Sequence, residues 1–326
     1  MKSKSFFKKN ILWFILAAAV LVILAVIAVL IFYPSSNSDR IDPNVELGIP
    51  STGISELAAE KEAERLAEEE RKAAEEEAER QAAEEEARKK AEEEKKAKAE
   101  AEREEEEKRE KYGETYEEYS RCMEKVRELE KTLSSDPSAW NMILCNPTHP
   151  LPDDYIDGIE LSSIYGRFQV DSRIYYNVRA MFLAAEMDGV NLSMVSAFRD
   201  VDLQTRNFNN KKNYYIGLGY SEEDAYAKTA TIIAVPGTSE HHTGLALDIL
   251  TPSYMELTSG FDQTKAYAWL VEHCAEYGFI LRYAKDKTDI TKIIYEPWHY
   301  RFVGIENAKK IMASGLSYEE YLGVLD

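Results

Sequence analysis

Cysteine is scarce in this chain, with three residues in 326: Cys122, Cys145 and Cys274. So few exclude a small disulfide-built scaffold, and an odd count allows at most one bridge. Each reads as a buried small hydrophobe. Positive charge is also in deficit, with 40 Lys and Arg against 59 Asp and Glu and a net charge of −19. A nucleic-acid binder needs basic groups to displace counterions from phosphate, so no nucleic-acid partner is expected. Histidine occurs only five times, which makes the company each one keeps informative.

The acidity is unevenly spread. Residues 56–111 hold 15 basic and 24 acidic groups, while residues 138–326 hold 16 and 25. About half of the net charge therefore sits in one short stretch, and the C-terminal part has the balance of an ordinary globular domain.

What is present at the N-terminus is a run of 23 uncharged residues, Ile11 to Tyr33, preceded by Lys2, Lys4, Lys8 and Lys9. As a helix it extends about 35 Å, enough for a hydrocarbon core of roughly 30 Å. It exceeds the apolar stretch of a secretory signal and ends in Phe32-Tyr33-Pro34 without a small-residue cleavage site. The lysines precede the span, so the expectation is a single-pass anchor with residues 1–10 in the cytoplasm and everything after it exported. Residues 34–55 read as a flexible linker.

From Glu56 to Lys111 the chain is almost wholly Glu, Ala, Lys and Arg, all strong helix formers. Acid-then-base pairs four apart recur: Glu68–Lys72, Glu76–Arg80, Glu84–Arg88, Glu85–Lys89, Glu92–Lys96 and Glu104–Lys108. Each is worth about 0.2–0.5 kcal/mol. After Leu66 alanine is the only apolar residue and no heptad holds, so a solvated helical spacer is expected. In residues 112–137 the pattern changes: Tyr119, Met123, Val126, Leu129 and Leu133 form a helical apolar stripe. It packs either on the following domain or on its copy in a homodimer.

Residues 138–326 alternate helical and strand-like patterns. Helices are expected at 171–187, 200–211, 221–234, 263–277, 307–313 and 318–324. Strands are expected at 192–198, 244–250, 279–283 and 299–303. The fold class is α+β, a small mainly antiparallel sheet with surrounding helices.

Two segments carry chemistry. In Gly244–Leu250, Leu245, Leu247 and Ile249 point one way, towards a core. Asp248 points the other way, beside Gly244 and Ala246, with His241 just before the strand. Downstream, Glu296-Pro297-Trp298-His299 sets a carboxylate three residues before a histidine. Two histidines and an aspartate can fill three positions of a tetrahedral zinc and leave the fourth for water. A further carboxylate nearby is what metal-assisted hydrolysis needs as general base. His242 is a rival ligand one residue from His241, although strand parity favours His241.

These residues resemble the VanY-type zinc D-alanyl-D-alanine carboxypeptidases, whose fold is shared with hedgehog-type domains. The resemblance runs from about Trp140 to the C-terminus. It rests on S-x-H-x-x-G-x-A-x-D at 239–248 and E-P-W-H at 296–299, with support from Ser196-Ala197-Phe198-Arg199, Gln204 and Tyr277-Gly278-Phe279. It implies that His241, Asp248 and His299 bind one zinc and that Glu296 is the general base and acid. Arg199 would stabilise the oxyanion or hold the substrate's terminal carboxylate. Gln204, Ser239, Trp298 and Tyr283 would contact substrate, a peptidoglycan stem peptide ending in D-alanine. An L,D-carboxypeptidase or endopeptidase with the same site is the alternative, and a non-catalytic zinc-stabilised wall-binding module is a third reading. His242 departs from the pattern as the rival ligand, while Ala284 and Lys292 depart from it in the segment leading to Glu296 and bear on the substrate-facing loop.

Overall fold

A computed structural model describes residues 52–324. The expected tail and anchor, and nearly all of the linker, lie outside them. Among the described residues no helix is long and apolar enough to cross a membrane. The chain divides into two units, Met1–Lys89 and Lys90–Asp326.

Helix α1, Thr52–Tyr112, carries the charged stretch. Two of the expected pairs close, Glu68–Lys72 at 3.1 Å and Glu85–Lys89 at 2.7 Å, and both are exposed. Elsewhere the helix also pairs base before acid, as in Lys98–Glu102 and Arg103–Glu107. Gly113, at φ 54°, separates α1 from α2, Glu114–Glu130. The apolar stripe finds its partner in its own chain. Val126 and Cys122 are buried in the main core, while Tyr119, Met123, Leu129 and Leu133 pack against that core.

Strands β1 (Leu161–Ile164) and β2 (Phe168–Asp171) form an antiparallel hairpin, followed by α3, Tyr175–Met187. The expected helix from residue 171 starts later because Asp171 ends β2. Its side chain accepts from the Arg173 backbone and caps a 3-10 turn at Ser172–Ile174. Strand β3 is Ser193–Ser196. Helix α4, Val201–Gly217, outlasts the expected end near 211; Asp200 caps its start by accepting from Leu203. Helix α5, Glu222–Ala230, is capped by Ser221.

Strand β4, Ala246–Leu250, is followed by α6, Lys265–His273, which is flanked by 3-10 turns and so is shorter than expected. Then come β5 (Phe279–Tyr283), the short α7 (Thr288–Thr291), β6 (Glu296–Phe302), α8 (Ile305–Ser314) and α9 (Tyr318–Leu322). Strands β3–β6 form one antiparallel sheet in the order β3-β4-β6-β5. One face is core, with Leu245, Leu247 and Ile249 fully buried alongside Val178 and Met181 of α3.

Strand β6 begins three residues earlier than expected, at Glu296. Pro297 argues against a strand because it cannot donate to a ladder. Here it lies at an irregularity: β5 advances from Leu281 to Tyr283 while its partners on β6 run from Tyr300 back to Glu296. Extra β6 residues are thus accommodated in a bulge, a place where proline is tolerated.

Candidate active site

The other face of the sheet carries the site. Asp248 pairs in register with Ser196 of β3 and with His299 of β6. Ser196, Asp248 and His299 therefore form a row across three strands, with side chains a few ångströms apart. His241 comes from a 3-10 turn, Glu240–Thr243, that leads into β4. That turn closes on Gly244 at φ 71°, where a Cβ would lie 2.9 Å from the Asp171 backbone nitrogen. Only glycine fits this approach.

The three side chains meet. His241 Nε2 is 3.2 Å from Asp248 Oδ2, and His299 Nδ1 is 3.1 Å from Asp248 Oδ1. One donor atom from each lies within 4.8 Å of the others, and all three residues are buried. Their outer hydrogen bonds fix the tautomers. His241 Nδ1 donates to the Ala197 carbonyl at 2.7 Å, which leaves Nε2 as the free donor atom. His299 Nε2 faces Glu240 Oε2 at 3.2 Å, which leaves Nδ1 turned towards Asp248. Metal-binding histidines are oriented in this way by a carbonyl or carboxylate behind them. The donor set of two imidazoles and a carboxylate fits zinc.

His242 is excluded as the rival ligand. Its Nδ1 donates to the Arg199 carbonyl at 2.6 Å, and its Nε2 accepts from the Gly237 backbone at 3.3 Å. Both ring nitrogens are spent on holding two loops together.

Burial pushes the His241 imidazole down to about 4, so it stays neutral at ordinary pH. Burial opposes charge on His299 too, but Asp248 and Glu240 override it and raise its pKa to about 9, so both ring nitrogens hold protons at ordinary pH until a cation at the three donors displaces the one on Nδ1. Glu296 has the opposite environment from Asp248. Burial raises its carboxyl to about 8, whereas the two histidines overcome the burial of Asp248 and hold it well below the carboxylate range. A cation at the three donors would draw Glu296 back towards its ionised form. Its Oε2 lies 3.8 Å from His299 Nδ1. Strict alternation sets residues three apart on opposite faces of a strand, and the bulge in β6 breaks that alternation between the two.

Arg199 stands on the other side. One terminal nitrogen donates to Ser196 Oγ at 2.9 Å and lies 3.6 Å from Asp248 Oδ2; the other donates to Gln204 Oε1 at 2.7 Å. Gln204, expected as a substrate contact, lies behind Arg199. It is fully buried, with its carbonyl on Arg199 and its amide nitrogen on the Ala234 carbonyl at 2.5 Å. It positions Arg199 and does not line the cleft.

Ser239, Tyr283 and Trp298 all line a cleft of about 620 Å³ that opens over the three donors. The Ser239 hydroxyl makes no hydrogen bond in the structure among the described residues, although the residue is almost fully buried. The Tyr283 ring sits 4.8 Å from the His299 ring. Trp298 also belongs to the main core.

Sequence reasoning missed Glu240. Its Oε1 accepts from Arg282 at 2.8 Å and Arg301 at 3.1 Å, while Oε2 faces His299. Glu319 of α9 closes the group with two bonds to Arg282, at 2.9 and 2.6 Å. Two cations and two anions thus balance in the interior. Burial opposes charge on Glu240, but the two arginines hold its carboxyl well below the usual range. Position 240, next to the candidate donor His241, was the only signal available in the chain.

An α+β sheet carrying a His/Asp/His donor set, a carboxylate beside it and a fixed arginine has the groups that metal-assisted hydrolysis uses, which points to the hydrolase class. Residues 167–305 match the family model for VanY D-alanyl-D-alanine carboxypeptidase. The chain is 41% identical over 189 residues to a D-alanyl-D-alanine carboxypeptidase of Enterococcus faecalis, covering 57% of this chain and 67% of that protein. It is 32% identical over 211 residues to another from Enterococcus faecium, covering 60% and 62%. Two solved structures align at 40% identity and TM-score 0.52. One is a VanY D,D-pentapeptidase mutant from a VanB-type resistance cassette in complex with Zn(II), covering 56% of this chain and 99% of that one. The other is VanYB in complex with D-alanine-D-alanine, covering 57% and 98%. This chain belongs to the VanY D-alanyl-D-alanine carboxypeptidase family.

Proposed function

We propose that this protein is a zinc carboxypeptidase that removes the terminal D-alanine from peptidoglycan stem peptides ending in D-Ala-D-Ala. The reading is carried by the convergence, in one cleft, of three buried donors, Glu296 at 3.8 Å from His299 and Arg199 at 3.6 Å from Asp248. It is supported by the relatives that act on or bind this dipeptide unit.

Bound at His241, Asp248 and His299, zinc would supply an acidified water and a Lewis acid for the scissile carbonyl. Glu296 then takes a proton from the attacking water and returns it to the leaving amine. Arg199, held rigidly by Ser196 and Gln204, offers a fixed cation to the charge that develops on the carbonyl oxygen. The free Ser239 hydroxyl is available to hold the peptide backbone.

The chain's N-terminal third, through the end of α1, serves delivery. An anchor at 11–33 with the N-terminus in the cytoplasm would place the catalytic domain outside the cell, with α1 as spacer between bilayer and wall. The 61 residues of α1, if straight, would supply about 90 Å of reach.

The test uses two peptides, a stem pentapeptide ending D-Ala-D-Ala and the tetrapeptide ending in one D-alanine, with product masses read with and without chelator. Chelator-sensitive loss of a single alanine from the pentapeptide is expected. Cleavage of the tetrapeptide alone would replace this reading with an L,D-carboxypeptidase. Zinc binding without cleavage of either would leave a binding module.

A further inference from the structure

At about 620 Å³ the cleft is larger than one alanine requires. Its wall beyond Arg199 is one face of α4, where Asn207, Asn210, Lys211 and Tyr214 recur at helical spacing. These side chains differ from Gln204, one turn earlier on the same helix, whose amide is wholly committed inside the protein. Among the described residues, neither asparagine side chain has a hydrogen-bond partner, and Tyr214 is 57% exposed. Lys211 is half-buried and packs its ammonium over the Tyr214 and Tyr215 rings, each at 5.3 Å. No carboxylate among the described residues lies within 4.0 Å of it, whereas its neighbour Lys212 pairs with Glu222 at 3.2 Å. An unpaired cation lining the active-site cleft of an acidic domain calls for an anion from outside the chain.

We propose that this face of α4 is a subsite for the acyl side of the substrate, and that Lys211 binds a free carboxylate carried there by the peptide. The inference rests on the carboxypeptidase reading above. A carboxypeptidase releases one residue, so cleft length beyond that residue belongs to the part of the peptide it keeps. From Gln204 to Lys211 the helix advances about 10 Å, the length of roughly three extended residues. The proposal accordingly places that carboxylate within the retained part of the peptide, upstream of the scissile bond and distinct from the terminal carboxylate. Asn207 and Asn210 supply amides that can bond the peptide backbone along the way. The preferred substrate is a stem peptide with that internal acid free, not converted to its amide.

The test compares two pentapeptides ending in D-Ala-D-Ala that differ only in a carboxylate or carboxamide upstream, using the full-length zinc enzyme. A charge-assisted bond at a half-buried site predicts a kcat/KM ratio of about five to ten in favour of the acid, mainly through KM. In Lys211→Met the ratio falls to about one, and in Lys211→Arg it returns. Equal use of both peptides by the wild type would overturn the subsite, as would a preference that survives in Lys211→Met. So would a preference for peptides carrying the extra carboxylate beyond the scissile bond, which would put the α4 face on the leaving side. Failure of the wild type to cleave either peptide would overturn the carboxypeptidase reading and the subsite with it.

Discussion

His299 Nε2 lies 3.2 Å from Oε2 of Glu240, a carboxylate fully enclosed by protein and held by two arginines. This contact decides which ring nitrogen of His299 carries the proton and which is left for a metal. Without Glu240 the ring is free to take either tautomer and to rotate, and Arg282 and Arg301 lose a counter-charge. Glu240→Ala is expected to weaken zinc binding by about 10–100-fold, the usual cost of losing such a support. Glu240→Gln, which keeps an acceptor for Nε2, is expected to lose less. Chelator competition measures both, with circular dichroism of the zinc-free variants separating lost affinity from lost fold. Equal zinc affinity in all three proteins would remove Glu240 from this role.

Glu296 is expected to behave differently from the residues around it. It sits 3.8 Å from His299 Nδ1 yet is not one of the three donors. Glu296→Gln keeps the size and most of the packing of the side chain while removing its ability to take a proton. A fall in kcat of about 10²–10⁴ is expected, with zinc content unchanged and KM altered little. Loss of zinc in this variant would make Glu296 a ligand and not the base.

Much of this arrangement was legible in the chain because it depends on local pattern. The alternation in Leu245–Ile249 shows which way Asp248 points, and the motif spacing picks out His241, His299 and Glu296. The support of these residues was not legible, because it is assembled from distant segments. Glu240, Arg282, Arg301 and Glu319 are charged residues that local pattern would place at the surface, and only the sheet order and the docking of α9 bring them together. The burial of Gln204 was not legible for a related reason. An amide one turn into a helix can face a cleft or a neighbour, and sequence does not reveal that Arg199 and Ala234 use both of its ends. The early start of β6 was hidden by Pro297, whose tolerance there depends on a bulge set by the partner strand.

Arg199 and Gln204 form one unit and are expected to respond as one. Arg199→Ala removes the fixed cation and is expected to lower kcat/KM by about 10²–10³, as for loss of an oxyanion donor. Arg199→Lys is expected to recover little, since a single ammonium cannot bond Ser196 and Gln204 from the two arms of a planar fork. Gln204→Ala leaves the guanidinium present but less constrained, with an expected loss of about tenfold. Combining Gln204→Ala with Arg199→Ala is expected to add almost nothing to Arg199→Ala alone. Steady-state kinetics on the four proteins measure the coupling, and full additivity would mean that Gln204 acts on substrate independently of Arg199.

Glu319 gives a stability prediction whose sign follows from its surroundings. Burial alone would raise its carboxyl, but the Arg282 guanidinium, bonded to both of its oxygens, holds it below the ordinary value of 4.5. A carboxyl whose pKa is lower in the folded state stabilises fully above its unfolded pKa and loses that contribution as pH falls through the folded value. Glu319→Gln breaks a buried pair while keeping the shape, and a cost of about 3 kcal/mol is expected at neutral pH. The difference in Tm between wild type and variant should then be largest at pH 6–7, begin to close only below about pH 4.5, and shrink further with acid. Melting curves across that range test it. A Tm gap that stays constant down to pH 3 would mean that α9 is held by packing around Tyr318 and not by the charge on Glu319.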